Sequence, residues 1–126
     1  MALRRINFTN LPVDDLDRAI AFYQMLGFDV VVDAPYTEDW RWVFMEIPGA
    51  PTRLHFTKRA EITVHEGNAL MLVCDDVDAE AARLGSAGVT IIGGPADAPW
   101  AADGVRWLQI TDSEGNTVLL ESMKEG

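Results

Sequence analysis

The chain has 126 residues, 48% of them hydrophobic, with twenty acidic against ten basic side chains and a net charge of −10. That balance argues against nucleic acid and against an anionic membrane surface, both of which it would repel, and is compatible with a cationic ligand, although many domains are acidic for solubility alone. The length suits one domain with a proper core, lone Cys74 permits no intramolecular disulfide, and no targeting or membrane-spanning run follows Met1, so a cytoplasmic location is expected.

Residues 5–13 alternate as a strand, with Ile6, Phe8, Asn10 and Pro12 on one face and Asn7, Thr9, Leu11 and Val13 on the other. Pro12 suits a strand end, where a missing N–H costs little. Asp15 stands where a side chain can accept hydrogen bonds from the free N–H groups of a first helical turn, and Asp17 adds negative charge there. Leu16, Ala19, Ile20, Tyr23 and Leu26 then recur at helical spacing, and Gly27 supplies a left-handed stop. Strands are expected at 28–33 and 40–47 around a turn holding Pro35, and at 53–58 after the Pro48-Gly49-Ala50-Pro51 turn. Residues 59–67, with His65, form a charged connection that reads as surface and as the best internal boundary.

The second half repeats the first. Asp75, Asp76, Val77 and Asp78 stand as Asp14, Asp15, Leu16 and Asp17 stand, and Gly88 answers Gly27 at the same offset that relates Asp76 to Asp15. The spacing predicts a strand at 69–73, a helix at 77–87, a strand at 90–92, a long loop at 93–104, and strands at 105–111 and 116–122 around the turn Asp112-Ser113-Glu114-Gly115. Trp42 and Trp107 each lead an apolar strand, followed by a glycine-containing turn. A period of this size means two copies of one βαβββ unit, 1–60 and 66–124, in a single α+β domain. One such unit buries too little surface to stand comfortably alone, so the two are expected to share a core.

The stretch LPVDDLDRAIAFYQMLGF (11–28), Pro99-Trp100 followed by Gly104-Val105-Arg106, and DSEGNTVLLE (112–121) carry a resemblance that spans nearly the whole chain. The paired unit resembles the vicinal oxygen chelate superfamily, which includes glyoxalase I, bleomycin-resistance proteins, extradiol dioxygenases and fosfomycin-resistance enzymes. The fold this implies is the glyoxalase/bleomycin resistance fold: two βαβββ modules whose curved mixed sheets surround a central cavity. It leaves activity open, because the superfamily holds isomerases, oxygenases, transferases and plain binders.

Metal-dependent members present His or Glu seven residues before the aspartate that starts each helix, and on the last strand of each module. By that resemblance the positions are Phe8, Ala69, Leu119 and either Leu54 or His55. At most one keeps a metal-ligating side chain, and a single imidazole does not hold zinc, nickel or iron against water. No metal or other cofactor is therefore expected; a divalent ion in a displaced site is the alternative.

What replaces the metal is aromatic and apolar. Phe8, Trp42, Phe44, Met71 and Trp107 lie on strands whose counterparts line the family cavity, with Asn10 beside Phe8 and Trp100 on the loop that borders it. Filling the space between sheets is the commoner fate of such rings. Facing a ligand, they suit a flat or cationic organic molecule. His55 is read either as a cavity base or hydrogen-bonding group, or as a solvent-facing or satisfied strand histidine, the commoner case. Glu121 shares a face with Leu119 and is either a carboxylate at the cavity mouth or simply an exposed one. Asp14, Asp15, Asp75 and Asp76 resemble paired catalytic carboxylates, but helix capping accounts for them. The character is closest to bleomycin-resistance proteins, which are acidic, metal-free and sequester their drug between two subunits. Two readings follow: a homodimeric protein that binds an apolar or cationic small molecule, an antibiotic among the candidates, or a glyoxalase-like lyase, isomerase or dioxygenase-type enzyme using His55 and Glu121 or a displaced metal.

Overall fold

The computed structural model describes residues 2–63, 66–100 and 104–123, so His65 lies outside the described residues. The chain divides into two compact units, Met1–Val64 and His65–Gly126, which places the boundary inside the connection at 59–67.

The first unit runs β1 (Phe8–Val13), α1 (Leu16–Leu26), β2 (Asp29–Pro35), β3 (Arg41–Glu46) and β4 (Arg53–Lys58). The second runs β5 (Asn68–Cys74), α2 (Val77–Ser86), β6 (Thr90–Asp97), β7 (Arg106–Thr111) and β8 (Thr117–Ser122). Each is a βαβββ unit with one four-stranded mixed sheet, ordered β1-β4-β3-β2 in the first and β5-β8-β7-β6 in the second. The first and last strands of each unit pair in parallel, and the remaining neighbours pair antiparallel. The fold class is α+β, as the repeat predicts.

The helix ends are built alike. Asp15 accepts a hydrogen bond from the Arg18 N–H at 3.0 Å, and Asp76 accepts from Asp78 and Ala79 at 2.9 and 3.2 Å. After each helix a left-handed glycine turns the chain: Gly27 has φ +112° and Gly88 φ +85°. The next N–H then returns to the last turn, Phe28 to Tyr23 at 2.9 Å and Val89 to Leu84 at 3.0 Å. Asp17 and Asp78 do more than meet the helix dipole. Arg41 binds Asp17 at 2.7 Å and Asp33 at 2.9 Å, while Arg106 binds Asp78 at 2.9 Å and Asp97 at 2.8 Å. Both guanidiniums are held more firmly protonated by these carboxylates, and Arg106 in turn lowers the pKa of Asp78. These exposed pairs fix orientation more than stability.

One face of each sheet packs under its helix. Leu11, Val13, Val43, Met45, Leu54 and Phe56 are buried with Leu16, Ala19 and Tyr23 in the first unit. Leu108, Ile110, Val118 and Leu120 are buried with Val77 and Leu84 in the second. Tyr23 meets Phe28 edge-on at 5.4 Å and Phe56 at 5.7 Å. The opposite faces of the strands are left to carry other chemistry.

Two expectations need correction. The first strand begins at Phe8, three residues later than the alternation suggests. The loop expected from Gly93 starts only after Asp97, because β6 continues through Gly93, Gly94 and Pro95 with two register shifts and pairs Ala96 with Trp107 and Asp97 with Arg106. The glycines are there for room. A Cβ on Gly94, at φ +75°, would stand 2.5 Å from the Trp107 carbonyl oxygen, and one on Gly93 would meet the Trp107 ring at 2.8 Å. Among the described residues no helix is long and apolar enough to cross a membrane.

Candidate functional site

Cross-strand register decides which side chains share the face of the first sheet opposite its helix. His55 stands beside Asn10 on β1 and Phe44 on β3, whereas Leu54 aligns with Thr9 and Met45 and belongs to the buried core. The corresponding position on β8 is Leu119, which aligns with Gln109 of β7 as His55 aligns with Phe44. The choice between Leu54 and His55 thus falls on His55.

Around the imidazole is a shell of rings. Its centroid is 4.2 Å from Trp42, 5.3 Å from Phe8 and 5.4 Å from Phe44. Phe8 meets Phe44 at 5.1 Å, Trp42 meets Phe44 edge-on at 5.6 Å, and Tyr36 leans on Trp42 at 5.3 Å. Beside this cluster opens a cavity of about 230 Å³ lined by Phe8, Asn10, Tyr36, Trp40, Trp42, His55, Phe56, Thr57, Lys58 and Glu61. Lys58 is paired with Asp39 at 2.5 Å and lies over the Trp40 ring at 5.5 Å. Trp40 is itself anchored, its indole N–H donating to the Phe56 carbonyl at 3.3 Å.

His55 is neither solvent-facing nor satisfied. Only 6% of it is exposed. Its Nδ1 lies 2.6 Å from Asn10 Oδ1, and the Thr57 hydroxyl donates to that same oxygen at 2.9 Å. An amide oxygen only accepts, so Nδ1 carries the proton and Nε2 keeps its lone pair. Nε2 is cut off from solvent and finds no hydrogen-bond partner among the described residues. Burial also lowers the pKa of the ring below its ordinary 6.5, which keeps it neutral at physiological pH.

The second unit has its own cavity, of about 270 Å³, lined by Asn68, Trp100, Trp107, Gln109 and Leu119. Trp100 and Trp107 stand 5.7 Å apart, and the Gln109 amide donates to Asn68 at 2.9 Å. Among the residues singled out by sequence, Phe8, Asn10, Trp42, Phe44 and His55 come together in the first unit, and Trp100 with Trp107 in the second. Met71 pairs with Leu119 and is 66% exposed; half-buried Glu121 pairs with Trp107; neither lines either of these two cavities.

The superfamily's metal does not fit the residues at its expected positions. Of Phe8, Ala69, Leu119 and His55, only the histidine offers a lone pair, and among the described residues no group of three or more His, Cys, Asp or Glu is gathered to hold a metal ion.

Sequence reasoning missed Tyr36, Trp40, Phe56, Thr57, Lys58 and Glu61 as cavity residues. Thr57 was within reach, since it lies two residues beyond His55 on one strand and so shares its face. Tyr36 and Trp40 bracket a turn, outside any strand or helix period. Lys58 and Glu61 carry no comparable mark.

Comparison with known proteins follows the same architecture. A family model described as Glyoxalase/Bleomycin resistance protein/Dioxygenase superfamily matches residues 5–120. The chain is 26% identical over 122 residues to the uncharacterized protein YetH of Bacillus subtilis (strain 168), covering 94% of this chain and 98% of that one. Among solved structures it resembles TnmS3, an antibiotic binding protein from Streptomyces sp. CB03234, with TM-score 0.82, 32% identity and coverage of 98% and 99%. It also resembles a glyoxalase/bleomycin resistance protein/dioxygenase superfamily member from Sphaerobacter thermophilus DSM 20745, with TM-score 0.83, 26% identity and coverage of 97% and 99%.

Proposed function

The chain belongs to the Glyoxalase/Bleomycin resistance protein/Dioxygenase superfamily, and on that footing we propose that it binds a small flat organic molecule, an antibiotic among the candidates, in the aromatic cavity of its first unit and without a metal. The observation that carries this reading is the set of Phe8, Trp42 and Phe44 around His55, with Tyr36 against Trp42, beside an open cavity. Stacked and edge-on aromatic walls hold a planar guest through its faces, and with Lys58 of the lining already paired with Asp39, the net charge of −10 and Glu61 favour a neutral or cationic guest over an anion. Likeness to the antibiotic binding protein TnmS3 supports the same reading.

Calorimetric titration against a panel of neutral and cationic polycyclic aromatics tests the proposal; heat of binding from at least one is expected, and silence across the panel overturns it. A homodimer belongs to the proposal. Met71, Val73 and Trp100 are 66%, 56% and 57% exposed, and β5 is a sheet edge of the kind a second copy covers. Sedimentation at micromolar concentration checks it. One observation favours the alternative of a metal-free isomerase or lyase: His55 Nε2 keeps an unpartnered lone pair that could accept a proton from a substrate. Glu121, its expected partner in that chemistry, lines neither of the two cavities.

A further inference from the structure

Within that same cavity, the hydrogen bonding of His55 specifies the guest more closely. Thr57 orients the Asn10 amide, and the Asn10 oxygen accepts a hydrogen bond from His55 Nδ1–H, so the tautomer is set from behind by two polar residues of the same sheet. The result is a lone pair on Nε2 held inside a shell of rings with nothing among the described residues to donate to it. A buried acceptor without a donor is costly, and the fold does not demand it, because the second unit places Leu119 at the corresponding position. Covering the imidazole is Trp42, 4.2 Å away and only half-buried, which rests on Tyr36, itself 63% exposed. A flat ring entering from that side can turn Trp42 aside and stack against it, its edge toward the imidazole.

We propose, resting on the binding function above, that the ligand is a planar aromatic bearing a hydrogen-bond donor at its edge, a phenolic hydroxyl or ring N–H, and that His55 Nε2 accepts this bond once Trp42 gives way. His55 is then the selectivity residue of the site, choosing donors over ethers of the same shape.

The probes are 2-naphthol and its methyl ether, 2-methoxynaphthalene, titrated calorimetrically into the full chain and into His55→Leu, which copies position 119. The unmodified chain is expected to favour the naphthol by about tenfold, and the variant to lose that preference. Nitrogen-15 NMR of histidine-labelled protein gives a second readout that does not depend on the variant folding: the His55 Nε2 resonance moves with naphthol and stays with the ether. Equal affinity for the two probes with an unmoved Nε2 overturns the donor assignment and leaves the aromatic pocket standing. Failure of both probes to bind the unmodified chain overturns the pocket and this inference together.

Discussion

His55 Nδ1 and Asn10 Oδ1 lie 2.6 Å apart across the parallel pair β1 and β4, and this contact fixes both the tautomer and the side of the ring that is left bare. Burial holds the folded-state pKa below 6.5, so the unfolded chain takes up a proton that the folded chain refuses. Stability from the neutral ring is complete above about pH 6.5 and is lost as pH falls below it. Lys58 and Glu61 line the same cavity and Arg53 lies over Phe44 at 5.4 Å, so these are the charged groups nearest the site, and burial alone sets the direction for the ring. Asp39 and Asp78 have pKa values lowered from 3.8 and act only in stronger acid. Urea unfolding between about pH 7.5 and pH 5 is expected to show a falling midpoint, and His55→Leu a flatter one. Equal slopes would contradict the buried neutral histidine.

The capping residues should behave as a matched pair. Asp15→Ala and Asp76→Ala each remove an acceptor from a first helical turn, and each is expected to cost about 1 kcal/mol in urea unfolding. The double variant should lose the sum, because the capped N–H groups, Arg18 in one helix and Asp78 and Ala79 in the other, lie in different units.

Two glycines of the second unit predict opposite outcomes. Gly94→Ala forces a Cβ to 2.5 Å from the Trp107 carbonyl oxygen at φ +75°, and a loss of about 1–3 kcal/mol is expected. Gly85→Ala, inside α2 with only Ile91 Cδ1 at 3.7 Å, is expected to stabilise by about 0.5–1 kcal/mol. Thermal melts of both variants make the check.

If planar ligands enter beside His55, Trp42→Ala should weaken their binding by about tenfold or more, through lost stacking. Trp107→Ala, in the other unit's cavity, serves as the comparison. Titration of one bound polycycle into both variants distinguishes them, and an unchanged affinity in Trp42→Ala would remove that ring from the site.

The elements that sequence made legible are those whose physics is local. From Asp15 to Gly27 the cap, the apolar stripe and the left-handed stop are all written within thirteen residues, and their copies at Asp76, Leu84 and Gly88 hold the same hydrogen bonds. The site was legible only in part, because faces depend on partners far along the chain. Whether Leu54 or His55 looks away from the helix is set by Asn10 and Phe44. The continuation of β6 through Gly93-Gly94-Pro95 is set by Trp107, which needs the space. Tyr36 and Trp40 sit at a turn, where no period announces what a ring will touch.

On β4 two neighbours have different employments: Leu54 is buried in the core of its unit, while His55 and, two residues on, Thr57 meet the cavity. Architecture and selectivity are therefore inscribed on the same ribbon in interleaved positions. A change at 55 or 57 alters what a guest meets, while Leu54 goes on specifying the shape. At the matching place in the second unit Leu119 meets a tryptophan-bordered hollow of its own, so the same scaffold carries a lone pair in one half and a hydrocarbon in the other.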